Sequence, residues 1–117
     1  MNKIELERRT KDFSLQLIRF LKSLPKNYLG EIMGKQLLKS GTSIGANYRE
    51  ANRAESKADF IHKLSIAEKE ASETVYWLEL MTEAGIGNLE EVARLLEETK
   101  ELLAIFTAAG RTSKGLR

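Results

Sequence analysis

The sequence predicts an all-α protein, an up-down-up-down four-helix bundle. Three observations lead there. Four segments carry apolar residues at three- and four-residue intervals, short turn-forming stretches separate them, and no alternating strand pattern competes.

The first helix is expected from near Ile4 to Leu24, with Leu6, Phe13, Leu17, Phe20 and Leu24 on one face. Pro25 stops it, because proline restricts the preceding residue and removes a backbone donor. The second helix spans roughly Tyr28 to Ala54, with an apolar stripe of Met33, Leu37, Ile44, Tyr48 and Ala51. Gly34, Gly41 and Gly45 each cost about 1 kcal/mol in a helix. They speak against a straight helix, but small residues also let another backbone come close.

The third helix starts at Ser56, with Asp59 three residues on in a capping-box-like arrangement, and runs to Ala84. Phe60, Leu64, Ala67, Ala71, Thr74, Leu78 and Met81 alternate four and three apart, a heptad-type seam with small residues at its centre. Gly85 and Gly87 end it. The fourth helix opens at Asn88, with a seam of Leu89, Val92, Leu96, Thr99, Leu103 and Phe106, and ends near Gly110. Residues 1–110 thus form the bundle, and 111–117 a short, basic, flexible tail.

A chain of 117 residues supports one hydrophobic core. Hydrophobic content of 42% beside 31% charged residues argues for a folded protein over a disordered one. With no cysteine, the sequence excludes disulfides, thiolate catalysis and zinc–thiolate sites. MNKIELERRT lacks the apolar core of a signal peptide, and no stretch approaches the ~18 apolar residues of a membrane span. A cytoplasmic setting without a membrane partner is expected.

The net charge of +2 conceals a split. Residues 1–63 hold 13 Lys/Arg against 7 Asp/Glu, a balance of +6, whereas residues 64–110 hold 3 against 10, a balance of −7. Such a division serves an anionic partner at the front half, complementary packing between subunits, or simply a solvated surface.

Two surfaces exceed what a core requires. At about 100° per residue, Tyr76 and Leu80 fall nearly opposite the third helix's seam, with Ile66 and Trp77 to one side and Ile61 to the other. Scattered surface apolar residues are ordinary, but this cluster favours self-association in a closed symmetric homo-oligomer. On the second helix, Lys35, Lys39, Arg49 and Arg53 share a narrow stripe opposite the apolar one, along about 27 Å of helix. Such a row fits a phosphate backbone, each neutralised phosphate adding salt-dependent affinity; a merely solvated basic face is the plainer account. Between stripe and core lie Gln36, Ser40, Ser43 and Asn47, read as packing or oligomer-interface residues that hydrogen-bond a neighbouring helix.

The segment QLLKSGTSIGANYREANRAESKADFIHKLSIAEKEASETVYWLEL, Gln36 to Leu80, resembles the four-helix-bundle proteins of the 23S rRNA-intervening-sequence family. The likeness lies in a QL-x-x-SG-x-SI-x-AN-x-x-EA block, a polar turn, then a DF-x-x-KLSIA-x-KEA-x-E block. Ser40, Gly41, Ser43, Ile44, Asn47, Glu50 and Ala51 match the first block. Asp59, Phe60, Lys63, Leu64, Ala67, Glu70, Ala71 and Glu73 match the second. The resemblance implies a ring-like homopentamer. It also implies kinship with the accessory variability determinant of diversity-generating retroelements, a pentamer with a basic surface that binds nucleic acid and a partner protein. The acidic third and fourth helices depart from a strongly basic relative.

Enzyme readings find little support. A di-iron carboxylate site needs Glu-x-x-His on two helices, whereas the single histidine, His62, does not lie three residues after a Glu. Glu70 and Glu73 share a side with Ile66 and Trp77 and suit pairing with Lys63, Lys69 or a neighbouring subunit. Ser65 lies three residues from His62 with no sign of an oxyanion hole. Ser40-Gly41-Thr42 follows no strand and lacks the phosphate-loop pattern.

The expectation is therefore a non-enzymatic homo-oligomer without cofactor or metal. Lys35, Lys39, Arg49 and Arg53 would hold RNA or DNA, and Ser40, Ser43, Asn47, Ile66, Glu70, Glu73, Tyr76, Trp77 and Leu80 would form the oligomer interface. The alternative is a structural or protein-partner scaffold with no nucleic-acid role.

Overall fold

Each helix begins at a side-chain cap, and these caps set the boundaries. Asn2, Asn27, Ser56 and Asn88 accept hydrogen bonds from the backbone N–H groups of Glu5, Gly30, Asp59 and Glu91, at 2.8–3.0 Å. The computed structural model, which describes residues 1–115, accordingly holds α1 (Lys3–Ser23), α2 (Tyr28–Asn52), α3 (Lys57–Ala84) and α4 (Leu89–Ser113). Among the described residues no strand forms. Leu24, just before Pro25, is extended and ends α1 as expected. At the end of α3, Gly85 takes φ 68°, ψ 35°. This closes a Schellman motif in which Ile86 N–H donates to Met81 C=O at 2.9 Å and Gly85 N–H to Thr82 C=O at 3.3 Å.

The helices pack in sequence order around one core, in a body of 44 × 24 × 22 Å. The expected α3 seam lies inside: Leu64, Ala67, Ala71, Thr74, Leu78 and Met81 are buried, with Phe60 half-buried against them. In α1 the buried set is Leu6, Thr10, Phe13, Leu17 and Phe20, while Leu24 is only half-buried. Two expectations for α4 need correction. Its buried positions are Val92, Leu95, Thr99, Leu102 and Phe106, so Leu95 and Leu102 replace Leu96 and Leu103, and Leu89 is exposed. The helix also continues past Gly110 to Ser113, whose hydroxyl donates to Ala109 C=O. Residues 111–113 therefore belong to the bundle, and the end of the expected tail, 116–117, lies outside the described residues.

The glycines of α2 do not break it. They form the face on which α1 lies. A methyl group on Gly41 would overlap Leu17 Cδ2, and one on Gly45 would press on Thr10 Oγ1, Cβ and C at 3.1–3.4 Å. The approach of α1 uses the room that side chains would take.

α1 meets α4 most sparsely of the neighbouring pairs. Arg9 spans that seam, with Nε to Glu98 Oε2 at 2.7 Å, Nη2 to Glu98 Oε1 at 2.6 Å and Nη2 to Glu101 at 3.1 Å. The hydrogen bond to Glu98 raises the guanidinium above its ordinary value; partial burial opposes this, and Glu101 adds to it. Buried hydroxyls mostly bond within their own helix: Thr99 to Leu95 C=O, and Thr10 to the carbonyls of Leu6 and Glu7. No described helix is long and apolar enough to cross a membrane.

Candidate nucleic-acid and association surfaces

The angular order of residues around α2 sorts its surfaces. Gly34, Gly41 and Gly45 mark the direction of α1. Ser40 marks that of α3, because it receives a 2.9 Å hydrogen bond from Thr74 Oγ1. At 100° per residue, Lys35, Lys39, Arg49 and Arg53 project away from both. All four are exposed, and the described ion pairs join Arg9 to Glu98 and Glu101 without involving any of them. The structure thus brings the four cations onto one outward crest.

It also adds cations that the stripe left out. Arg49 and Arg53 share a shallow groove with Arg8 and Lys11 of α1, over a floor of Gly45 and Ala46. Glu7 and Asp12 also line this groove, and Glu7 accepts a 2.8 Å hydrogen bond from Asn52 Nδ2. Lys35 stands apart, at a second depression with Lys26, Gly34 and Leu38. Arg8 and Lys11 were findable as the outward face of α1, opposite Leu6, Phe13 and Leu17.

The expected interface residues divide. Ser40 is 2% exposed and tied to Thr74 and to Leu37 C=O, so it belongs to the α2–α3 core and is not available to a second subunit. Ser43 and Asn47 are half-buried, but their side chains donate along their own helix, to Lys39 C=O at 2.6 Å and Ser43 C=O at 2.8 Å, and not to a neighbouring one. Ile66, Glu70, Glu73 and Leu80 are half-exposed along the α3 flank. Tyr76 is 54% exposed, its ring set edge-on to Trp77 with centroids 5.2 Å apart. Trp77 itself is half-buried against the protomer's own core, with Nε1 enclosed and without a hydrogen-bond partner. α3 therefore hides more of its apolar circumference than its sequence suggests. Exposed apolar surface lies elsewhere too, on Leu29 and Ile32 of α2 and on Leu15 and Ile18 of α1.

Electrostatics single out one residue on the α3 flank. Burial, reinforced by Glu73, raises the Glu70 carboxyl above the ordinary range, while Lys69 and Lys39 pull it down. Ser65 Oγ donates to His62 C=O at 2.6 Å and so engages that residue's backbone rather than its ring. Among the described residues no group of three His, Cys, Asp or Glu side chains converges as a metal site.

The sequence matches the family model described as "23S rRNA-intervening sequence protein" over residues 2–108. A solved structure from Bacteroides thetaiotaomicron, a protein of unknown function from the S23 ribosomal protein family, superposes with a TM-score of 0.85 at 36% identity. The alignment covers 95% of this chain and 99% of that one. Among curated proteins none matches.

Proposed function

We propose that this chain, which belongs to the 23S rRNA-intervening sequence protein family, is a non-enzymatic, cytoplasmic, homo-oligomeric protein that holds RNA or DNA on the basic crest of α2. One observation carries the reading. Lys35, Lys39 and Arg49 stand exposed along a single uninterrupted helix and Arg53 at its C-cap, all four outside the described ion pairs. Cations kept in water and aligned over about 27 Å suit an extended polyanion better than a single small anion. Arg8 and Lys11 widen the track at the Arg49–Arg53 end. Self-association is supported by exposed Ile32 and Tyr76 beside half-exposed Leu80; the resemblance makes five the expected number of copies.

The test is binding of a fluorescent single-stranded RNA and of a duplex DNA, followed by anisotropy across a salt series. Engagement of four phosphates gives log K falling against log[salt] with a slope of about −3 to −4. Arg49→Glu with Arg53→Glu, both at exposed positions, flattens that slope by about half. No binding at low salt, or binding indifferent to salt, removes the nucleic-acid role. It would leave the scaffold reading, in which the crest meets an acidic partner protein.

A further inference from the structure

The two flanks of the bundle differ in charge but share an apolar character. On the α2–α3 flank, Ile32, Tyr76 and Leu80 carry apolar surface on a side that also bears Glu70, Glu73 and Glu83, with Lys69 and Lys39 close to Glu70. Ile32 and Tyr76 are 44% and 54% exposed, and Leu80 is half-exposed. Antiparallel pairing, with Ser40 level with Thr74, places Ile32 level with Thr82, two residues beyond Leu80, since eight residues on each helix span the same ~12 Å.

The outward face of α1 reads Ile4, Arg8, Lys11, Leu15, Ile18, Lys22, all exposed, with Glu7 and Asp12 bordering its N-terminal half. Leu15 and Ile18 are 42% and 36% exposed, and Leu38 of α2, 41% exposed, lies alongside. The contacts of Gly41 with Leu17 and of Gly34 with Leu21 set that register. One area is apolar with mainly acidic residues on its α3 side, the other apolar with mainly basic residues along α1, and they lie on opposite sides of the α2 crest.

From this complementarity we infer that the α2–α3 flank of one copy seats on the outward α1 face of the next, in a head-to-tail contact between unlike surfaces. The inference rests on the self-association reading above and adds the surfaces that meet. Like-to-like pairing is disfavoured on both sides, because it would set Lys11 and Lys22 against themselves, or Glu70 and Glu73 against themselves. Head-to-tail pairing lets Ile18 and Leu15 cover Ile32 and Tyr76 while opposite charges meet at the rim. A contact between unlike surfaces leaves each copy with one face still open, so association continues until a ring closes or a filament grows.

Mixing two variants of the full chain tests the pairing. Leu15→Asp/Ile18→Asp disables the α1 face, and Ile32→Asp/Tyr76→Asp disables the α2–α3 flank; helical circular dichroism checks that each still folds. By sedimentation velocity each variant alone is a monomer, and their equimolar mixture is a dimer that grows no further, because one intact face remains on each partner. A second pair, Lys11→Glu/Lys22→Glu and Glu70→Lys/Glu73→Lys, loses assembly separately and regains it when mixed, growing past two copies because each face of one variant now meets an oppositely charged face of the other. If the wild-type chain is monomeric at high concentration, the self-association reading itself falls. If the wild type assembles but the α1-face variant assembles equally well, or if the mixture stays monomeric, only the pairing falls.

Discussion

Gly41 lies where α2 and α1 come closest, so its replacement tests whether the α2 glycines serve packing. Gly41→Ala carries two opposing effects. Helix propensity favours alanine by about 1 kcal/mol, but the new methyl group overlaps Leu17 Cδ2, and Leu17 is fully buried. Moving that δ-methyl inside a filled core costs about 1–3 kcal/mol, so the single variant is expected to lose about 1 kcal/mol. Leu17→Ala alone should cost about 2–5 kcal/mol through lost burial and a residual cavity.

In the Leu17→Ala background the sign reverses. The Gly41→Ala methyl now enters vacated space, keeps its propensity gain of about 1 kcal/mol and recovers about 0.8 kcal/mol of burial. The two substitutions should therefore couple by about 2–3 kcal/mol, within the range for residues in contact. Urea unfolding followed by circular dichroism, at one protomer concentration so that association enters each arm equally, measures all four corners. A Gly41→Ala variant that is stabilised by about 1 kcal/mol in both backgrounds would refute the reasoning, because it would mean that α1 retreats freely and the close approach is dispensable.

The Arg9 bridge and the Glu70 carboxyl give two further expectations. Arg9→Met removes a two-pronged pair to Glu98 that is only partly screened, each side chain being 26% exposed. It should cost about 1 kcal/mol, with amide exchange quickening first in α1, where the α1–α4 seam is sparse. Loss spread evenly over all four helices would count against that account. Glu70 is raised in the folded state, so across the interval between the ordinary and raised values the folded chain binds more protons than the unfolded one. Stability then falls as pH rises through that interval, and the contribution is absent below it. Glu70→Gln should abolish this slope and be at least as stable as wild type at neutral pH, as read from urea midpoints against pH; parallel profiles for the two proteins would contradict it.

How far the sequence reveals this molecule depends on how ambiguous each pattern is. The α3 seam was legible because Ala67, Ala71 and Thr74 sit among residues that leave little choice of face. In α4 the leucines come in adjacent pairs, Leu95–Leu96 and Leu102–Leu103. Either member of each pair keeps the alternation of three and four residues, so spacing leaves the choice open, and only packing turns the first inward. The cation crest could be read from spacing within α2 alone. Arg8 and Lys11 could be read as outward on α1 but not as neighbours of Arg49, because that depends on which helix occupies the glycine face. Glycines spaced seven and four apart announce a close neighbour without naming it. Leu15, Ile18 and Leu38 escaped notice for a related reason: they fall off the periodic seams, and only packing shows that they gather on one side.

These placements have a common cause in the geometry of α2. Its glycine face is taken by α1, and the next arc, with Leu37, Ser40 and Ile44, is closed by the core and α3. The remaining arc must face water, and there the chain carries Lys35, Lys39, Arg49 and Arg53. A residue exchanged between arcs would fail for a definite reason: a lysine at position 41 would collide with Leu17, and one at position 40 would lose Thr74 its hydroxyl partner. Head-to-tail association across the two flanks leaves the same arc outward in every copy. Each added protomer then sets another row of cations on one continuous surface, and a nucleic acid long enough to reach two rows binds the second at the effective concentration set by the first. The Leu15→Asp/Ile18→Asp variant keeps all four crest cations, so its affinity for a strand spanning several protomers should drop at least tenfold more than its affinity for a strand spanning only one, which registers just the new carboxylate in the groove. Equal affinities for both strand lengths in the wild-type assembly would separate the crest from the association and leave each to stand alone.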